Sequence, residues 1–419
     1  MQTLSYDVIV IGAGHAGLAA SYFLSQANVR HVVLERGRIG ETWRTQRWDS
    51  FTINTPNRLS VLPGDTYAGD RSEGFYALNE FINVLQSYAE KFHLPVKEHA
   101  NVISVEKDNS TKQFTVAISE NGETVHYSCS QVIIASGIMN ERKIPVFSSK
   151  ISSEILQLHT IDYKNPQQLP AGAVLVAGSA QSGCQIAEDL IDAGKRVYIS
   201  ASMVSRVPRR YRGKDIFEWL ALTKFLDLRT DQVPDPRMLT LTQPQVSGVG
   251  PLGHTVSLQW LASKGATIVG KIENANGTVV ILQPDAATSV KFADGFSEKM
   301  KAIIDAFIQN EGMLAPRTEI DEADKPDSSA SCASNFTELD LKEKNIRSII
   351  WTTGFTADFS WINLPVFNEQ GKPKHKNGIS DIEGLYFIGF PWLRTRKSGI
   401  IYGIKEDAEF IVRQVLSHW

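Results

Sequence analysis

The feature that most constrains this chain is an apolar run that breaks into a glycine-rich turn and then into a helix-like stretch. Residues 6–12 read YDVIVIG, the turn continues as GAGHAG, and LAASYFLSQAN follows. Gly12 permits a tight turn, Gly14 leaves space for a phosphate, and Gly17 lets helix and strand pack closely. The helix N-terminus favours an anion. This order predicts a dinucleotide-binding unit at the start of the chain.

A carboxylate follows at the spacing that such a unit needs. The strand-like run HVVLE ends in Glu35, which lies 21 positions after Gly14. An acid at the end of the second strand grips the hydroxyl pair of a ribose. We therefore expect Glu35, with the adjacent Arg36, to contact the dinucleotide.

The same pattern occurs again at residues 173–200, where AVLVAGSAQSGCQIAEDLIDAG precedes the strand-like RVYIS. Alanine replaces the central glycine of the turn, so the phosphate should approach slightly less closely. An ordinary strand-to-helix crossover with small residues is the alternative. The predicted contacts of this second unit are Gly178, Ser179, Gln181, Ser182 and Gly183.

A basic loop follows the second unit, at the place where the first unit has its acid. It contains Arg206, Arg209, Arg210, Arg212 and Lys214. Arginine can hold a 2′-phosphate that a carboxylate would repel, so the loop favours NADP over NAD. The first choice for this contact is Arg206, and Arg209 or Arg210 is the alternative. A solvated or salt-bridged surface is the alternative.

Two nucleotide units in one chain predict a tightly bound flavin that is reduced by a transient nicotinamide, hence FAD and NADPH. The strand-like runs QVIIASG and SIIWTTG flank the second unit as hinges, and GLYFIG precedes a C-terminal helix. They add Gly137, Thr353 and Gly389 to the predicted contacts. The predicted fold is α/β, with two three-layer Rossmann-like domains. The FAD domain spans 1–165 and 336–419, and the NADPH domain, 166–335, is inserted in it.

Net charge, apolar runs and cysteine spacing limit the kinds of partner and metal that we expect the protein to bind. The net charge of -3 gives no drive toward nucleic acid, and no apolar run is long enough to span a bilayer. We expect a soluble, cytoplasmic protein; whether it forms a homodimer stays open. Cys129, Cys184 and Cys332 are far apart and form neither a CxxC pair nor a zinc pattern, so we expect reduced thiols and no metal site.

Together these segments resemble the flavin-containing monooxygenases, including the plant YUCCA-type and bacterial class B enzymes. The resemblance covers most of the chain. It rests on GAGHAG with its acid, GETWRTQRWDSFTINTPN, the ASG and TTG strand ends, GSAQSG with the basic loop, and GLYFIG. The family fingerprint FxGxxxHxxxY is half present. His159 and Tyr163 match it, whereas Ser153 and Ile155 replace its phenylalanine and glycine.

The resemblance implies that NADPH reduces FAD, that molecular oxygen adds at flavin C4a, and that one oxygen atom passes to a small substrate with a nitrogen, a sulfur or an indole-type ring. It implies catalytic roles for Asn54, through its amide, and for the nearby Ser50. It also places Trp43 beside the flavin and Val102 at the adenine, through main-chain atoms. Asn54 is alternatively a turn residue, and Trp43 a core residue.

Other functions stay open on the sequence. A reductase of a quinone or protein acceptor, a Baeyer–Villiger or decarboxylating variant, and a redox-sensing binding module are the alternatives. The missing CxxC argues against disulfide reduction. Residues 292–313 predict an amphipathic helix that either caps a substrate tunnel or packs on its own domain, and residues 321–334 predict a mobile polar loop.

Overall fold

The computed structural model describes residues 4–120, 122–240, 243–246 and 253–418. Its strands are β1 Leu4–Ile11, β2 His31–Leu34, β3 Val96–Lys97, β4 Asn101–Lys107, β5 Phe114–Glu120, β6 Glu123–Ile134, β7 Glu141–Arg142, β8 Leu156–His159, β9 Ala173–Ala177, β10 Val197–Ser200, β11 Arg210–Tyr211, β12 Lys214–Asp215, β13 Thr267–Val269, β14 Ile272–Asn276, β15 Val279–Leu282, β16 Glu338–Asp340, β17 Ile346–Trp351, β18 Phe355–Thr356, β19 His375–Lys376, β20 Ile379–Ser380 and β21 Leu385–Phe387. Its α-helices are α1 His15–Gln26, α2 Glu41–Thr45, α3 Leu78–Lys91, α4 Gln181–Asp192, α5 Ile216–Leu222, α6 Leu258–Ser263, α7 Ala286–Asn310 and α8 Ile404–Leu416.

The first sheet has the order β19-β20-β21-β6-β1-β2-β3, with β5 paired to β6 and β4 paired to β5. Its centre, from β21 to β3, is parallel. Alternate side chains of β1 point to opposite faces: Val8 and Val10 pack toward α1, α3 and α8, whereas Ile9 and Ile11 pack toward β4 and β5. Both faces are therefore covered, as a parallel sheet requires.

The second sheet is fully parallel, with the order β13-β10-β9-β17-β8. Val174 and Val176 of β9 face α4 and α6, while Leu175 faces the three-stranded sheet of β14, β15 and β16. The chain thus contains two covered parallel sheets. This α/β architecture with two dinucleotide-type units agrees with the fold class predicted from the sequence.

The predicted domain boundaries need correction. Both β8 and β17 lie in segments assigned to the FAD domain, yet they are strands of the second sheet. The run at 348–354, interpreted as a hinge, pairs in register with β9, with Trp351 opposite Ala177. The second unit therefore begins before residue 166 and ends after residue 335.

Two further predictions concern α7 and the segment after it. The helix at 292–313 is confirmed, since α7 covers 286–310. The loop at 321–334 is anchored rather than mobile, because Asp324 is buried and accepts hydrogen bonds from Ser297 and Lys301 of α7 at 2.7 and 2.8 Å. No helix of the described residues is long and apolar enough to cross a bilayer.

Candidate active site

The first glycine turn connects β1 to α1 and fits a bound pyrophosphate. Gly12 has φ +108°, and a Cβ there would lie 2.6 Å from the Ala135 carbonyl oxygen. A Cβ at Gly17 would lie 1.8 Å from the carbonyl oxygen of Gly12, so helix and strand need this glycine to pack. A Cβ at Gly14 would meet nothing within 4 Å. Gly12 and Gly17 are therefore required by the protein itself, whereas Gly14 keeps space open at the helix N-terminus.

A cavity of about 480 Å³ opens at this turn. It lies at the carboxyl ends of the parallel strands, where α/β sheets bind their ligands. Eight of the residues predicted to contact a cofactor line it together: Gly12, Gly14, Glu35, Arg36, Trp43, Val102, Gly137 and Gly389. We call this space the first cavity.

Glu35 is held in place at the end of β2. One carboxylate oxygen accepts the N–H of Ala13 at 2.8 Å and the other accepts the N–H of Gly37 at 3.0 Å. Burial raises the pKa of Glu35, and the two amide hydrogen bonds oppose that rise. Each oxygen keeps a further lone pair for a ligand, which suits the predicted grip on a ribose.

Two polar atoms of the first cavity support a ligand there. His15 Nε2 and Ser136 Oγ are buried and have no hydrogen-bond partner among the described residues. Burial lowers the pKa of His15 to about 4, so the ring is neutral at pH 7. Because buried polar groups are normally satisfied, we infer that a bound FAD would supply their partners.

Arg47 is a cavity residue that the sequence reasoning missed. Its side chain is buried, and the guanidinium carbon lies 5.0 Å from the Trp43 ring centroid and 5.4 Å from that of Phe51. It donates hydrogen bonds to the Gln46 carbonyl at 3.1 Å and to Met139 Sδ at 3.8 Å, and it forms no ion pair within the described ranges. Burial lowers its pKa to about 10, so it remains charged. Arg47 could have been found from the sequence, because it lies in the segment GETWRTQRW that carries the family resemblance.

The second turn, between β9 and α4, repeats the geometry of the first. Gly178 has φ +125°, and a Cβ at Gly183 would lie 2.0 Å from the Gly178 carbonyl oxygen. No side chain caps the N-terminus of α4. Gln181 Nε2 is buried without a partner among the described residues. These features fit a second dinucleotide at the free amides of α4.

Other predicted contacts at the second turn already have partners within the protein. Ser179 Oγ accepts the N–H of Ser202 at 3.0 Å, and Thr353 Oγ1 donates to the Lys143 carbonyl. Ser182 opens α4 beside Gln181 and is half-buried. Ser179 and Thr353 therefore shape the turn and its surroundings.

The basic loop contradicts the prediction made for Arg206 and Arg209. Arg206 is 1 % exposed and pairs with Asp294 at 2.5 Å and with Asp324. Arg209 is 1 % exposed, pairs with Asp215 at 2.7 Å and stacks on Phe75. A 2′-phosphate would have to displace these buried carboxylates, so both arginines serve as structural ion pairs.

The remaining cations of the loop are paired as well. Arg210 lies 3.5 Å from Glu73, Arg212 2.9 Å from Asp305, and Lys214 contacts Glu218. Exposed pairs of this kind contribute little to stability. The salt-bridged alternative therefore describes this loop.

The two residues predicted as catalytic do not line the first cavity. Ser50 is exposed and donates to Asp189 of α4 at 2.8 Å, while Tyr163 donates to the other oxygen of Asp189 at 2.7 Å. Ser50 thus links the segment that follows α2 to helix α4. Asn54 is half-buried, and its side chain has no hydrogen bond within the described part of the chain.

His159, from the half-kept fingerprint, is structural. It is buried, its Nδ1 accepts the N–H of Ile161 at 3.3 Å, and its Nε2 donates to the Gly354 carbonyl at 2.9 Å. Both ring nitrogens are therefore occupied. Burial lowers the pKa of His159, opposed by the Gly354 hydrogen bond.

Two parallel sheets with a glycine turn each define the class of oxidoreductases that bind two dinucleotides. Within that class the chain belongs to the pyridine nucleotide-disulphide oxidoreductase family, whose model matches residues 9–219. All three cysteines are free, and Cys129 and Cys184 are buried, so no dithiol pair accompanies the match.

Comparisons with known proteins narrow the family. An uncharacterized CzcO-like oxidoreductase of Geobacillus kaustophilus is 32% identical over 415 residues, 98% of this chain and 99% of that protein. A probable indole-3-pyruvate monooxygenase of Arabidopsis thaliana, YUCCA3, is 25% identical over 98% of this chain and 86% of its own length.

Solved structures share the fold. A flavin-containing monooxygenase from Stenotrophomonas maltophilia has a TM-score of 0.64 at 19% identity, with 99% of both chains covered. OTEMO, solved with FAD and NADP, has a TM-score of 0.55 at 13% identity, covering 99% of this chain and 86% of its own. The chain is thus an enzyme of the pyridine nucleotide-disulphide oxidoreductase family that shares the fold of flavin monooxygenases, and these likenesses imply FAD and NADPH.

Proposed function

We propose that this protein is an NADPH- and FAD-dependent monooxygenase that transfers one oxygen atom from molecular oxygen to a small organic substrate. The first cavity carries the proposal, because its open glycine, its anchored carboxylate and its unpartnered polar atoms fit a dinucleotide. The absence of a dithiol pair favours oxygen over a disulfide as the electron acceptor.

Electron transfer from NADPH to oxygen is the chemistry that a bound FAD would supply, and NADPH, oxygen, substrate and one proton from solvent would give NADP, water and the oxygenated product. The residues of the protein would bind the cofactor and orient it. Glu35 would hold the ribose, the amides at Gly14 the pyrophosphate, and Trp43 a ring of the cofactor. Arg47 would place a positive charge where a reduced flavin or a phosphate carries a negative one.

Asn54 keeps its predicted role as part of the proposal. Its amide has no partner among the described residues and can bind a polar group of the substrate or of the oxygen-carrying site. We expect Asn54→Ala to leave FAD reduction intact and to raise the ratio of hydrogen peroxide to product. An unchanged ratio would reduce Asn54 to a turn residue.

The proposal is tested with FAD-loaded protein by following NADPH oxidation, oxygen uptake and product together for amines, sulfides, indoles and ketones. One oxygen consumed and one product formed per NADPH supports monooxygenation. NADPH oxidation that needs a quinone and consumes no oxygen would instead identify a reductase. FAD-free protein is the control.

A further inference from the structure

A second cavity of about 340 Å³ lies between α7 and the segment that precedes α8. The stretch 389–399 separates it from the first cavity. Gly389, Pro391 and Gly399 line the first cavity, whereas Trp392 and Arg396 line the second. The two cavities thus share one wall, which places a ligand of the second beside the proposed FAD site.

Most of the second cavity is apolar. Phe225, Leu228, Met238, Phe296, Met300 and Ile303 contribute to its walls. Three of these belong to α7, so the helix that the sequence left as either a cap or a packing element lines a cavity. A volume of this order suits a small organic molecule with an apolar body.

Three cations line the same cavity, and no acidic residue does so among the described residues. Lys224 and Lys299 are exposed, and Arg396 is half-buried. The Arg396 guanidinium carbon lies 3.8 Å from the Phe225 ring centroid and 5.2 Å from that of Trp392. It donates one hydrogen bond, to the Phe225 carbonyl at 3.4 Å, and has no ion pair within the described ranges. Arg206 and Arg209, by contrast, each pair with a carboxylate.

Trp392 adds an unused donor. The side chain is 6% exposed, and its indole Nε1 is buried with no acceptor among the described residues. The backbone at Trp392 has φ +58°, a conformation that costs a non-glycine residue energy and is found at binding sites. A buried N–H without a partner is costly, so a ligand acceptor would stabilise it.

We propose that the second cavity binds an organic carboxylate, with its apolar body against Phe296 and Met300 and its carboxylate at Arg396 and the Trp392 N–H. This inference goes beyond the proposed function, because the stretch 389–399 lies between this cavity and the proposed FAD site. Arginine and an N–H donor suit a carboxylate, since charge-assisted hydrogen bonds are the strong ones. The exposed lysines at the mouth would attract the anion.

The test compares binding of 4-phenylbutyrate and its uncharged amide, 4-phenylbutyramide, to FAD-loaded protein by calorimetry without NADPH. We expect the carboxylate to bind at least about tenfold more tightly than the amide. Arg396→Gln should abolish that preference, Arg396→Lys should restore part of it, and Trp392→Phe should weaken carboxylate binding severalfold. Equal binding of both compounds, or an unchanged preference in Arg396→Gln, would overturn the inference.

A matched pair on α7 provides the control. Lys299 and Lys291 are both exposed on this helix, but only Lys299 lines the second cavity. Lys299→Gln should weaken carboxylate binding, and Lys291→Gln should not; equal effects would reduce the attraction to a general charge effect and contradict the site. Oxygenation of amines or sulfides by a protein that binds no carboxylate leaves the proposed function standing and removes this inference. Carboxylate binding without oxygen-coupled NADPH oxidation supports this inference and contradicts the proposed function.

Discussion

Arg209 Nη1 donates a hydrogen bond to the main-chain carbonyl of Asn54 at 2.9 Å. The contact joins the loop after β10 to the segment that follows α2. Arg209 is buried, and its guanidinium is also bound by Asp215, so the contact is fixed in position. The loop was expected to bind the 2′-phosphate of the cofactor. Through Arg209 it instead connects the second unit to the segment around Asn54.

The ion pairs of Arg206 predict a loss of stability without a change in cofactor preference. Replacing Arg206 by Met leaves Asp294 buried without a cationic partner among the described residues and leaves Asp324 with Lys301 alone, so we expect a loss of about 3 kcal/mol in the free energy of unfolding. The ratio of kcat/KM for NADPH to that for NADH should stay unchanged. Chemical denaturation and steady-state kinetics measure the two quantities.

Arg212→Gln is the control for this prediction, because Arg212 forms a partly exposed pair with Asp305 in the same loop. It should alter stability little. A selective loss of NADPH activity in Arg206→Met, with the folded state unaffected, would return Arg206 to the cofactor.

For Arg47 we expect the opposite effect of a substitution on the stability of the FAD-free protein. Its buried charge has no carboxylate partner within the described residues, so removing it relieves a desolvation penalty in the free protein. We expect Arg47→Met to leave the FAD-free protein at least as stable as the wild type and to weaken FAD binding about tenfold or more. Thermal unfolding and FAD titration check the two parts.

Arg47→Lys keeps the charge and should retain part of the FAD affinity. Loss of stability in the FAD-free Arg47→Met protein, together with unaltered FAD binding, would show that Arg47 acts as a structural residue. The contacts of the Arg47 guanidinium with the Trp43 and Phe51 rings would then be its role.

The sequence predicted what is encoded locally. The glycine turns and Glu35 could be placed because strand, turn, helix and acid follow one another within a few tens of residues, and the structure brings the first turn and Glu35 to one cavity. The partners of Arg206 could not be placed, because Asp294 and Asp324 lie 88 and 118 positions away. The predicted domain boundary was wrong for a related reason, because β8 joins the second sheet by pairing with β17, which is distant in the sequence.

Gly14 predicts a clean separation of folding from cofactor binding. A side chain there would enter open space, and the backbone at Gly14, with φ −80°, accepts any L-residue. We expect Gly14→Val to fold with a melting temperature close to that of the wild-type apoprotein but to purify nearly colourless. The flavin-to-protein absorbance ratio and the melting temperature of the apoprotein measure this.

Gly17→Ala is the contrasting variant, because its Cβ would lie 1.8 Å from a carbonyl oxygen inside the fold. It should lose stability whether or not FAD is present. Retention of FAD by Gly14→Val would place the pyrophosphate elsewhere.

His159 predicts a dependence of stability on pH. Its pKa is lowered in the folded protein from the ordinary value of 6.5, chiefly by burial, so the unfolded chain binds the proton more readily. The stabilisation is fully present above pH 6.5 and is lost as the pH falls toward the lowered value. We expect the free energy of unfolding of the wild-type apoprotein to decrease over that window, measured by denaturation at a series of pH values. His159→Gln should show a shallower decrease, and an identical slope in both proteins would assign the effect to other buried groups such as His15 and His31.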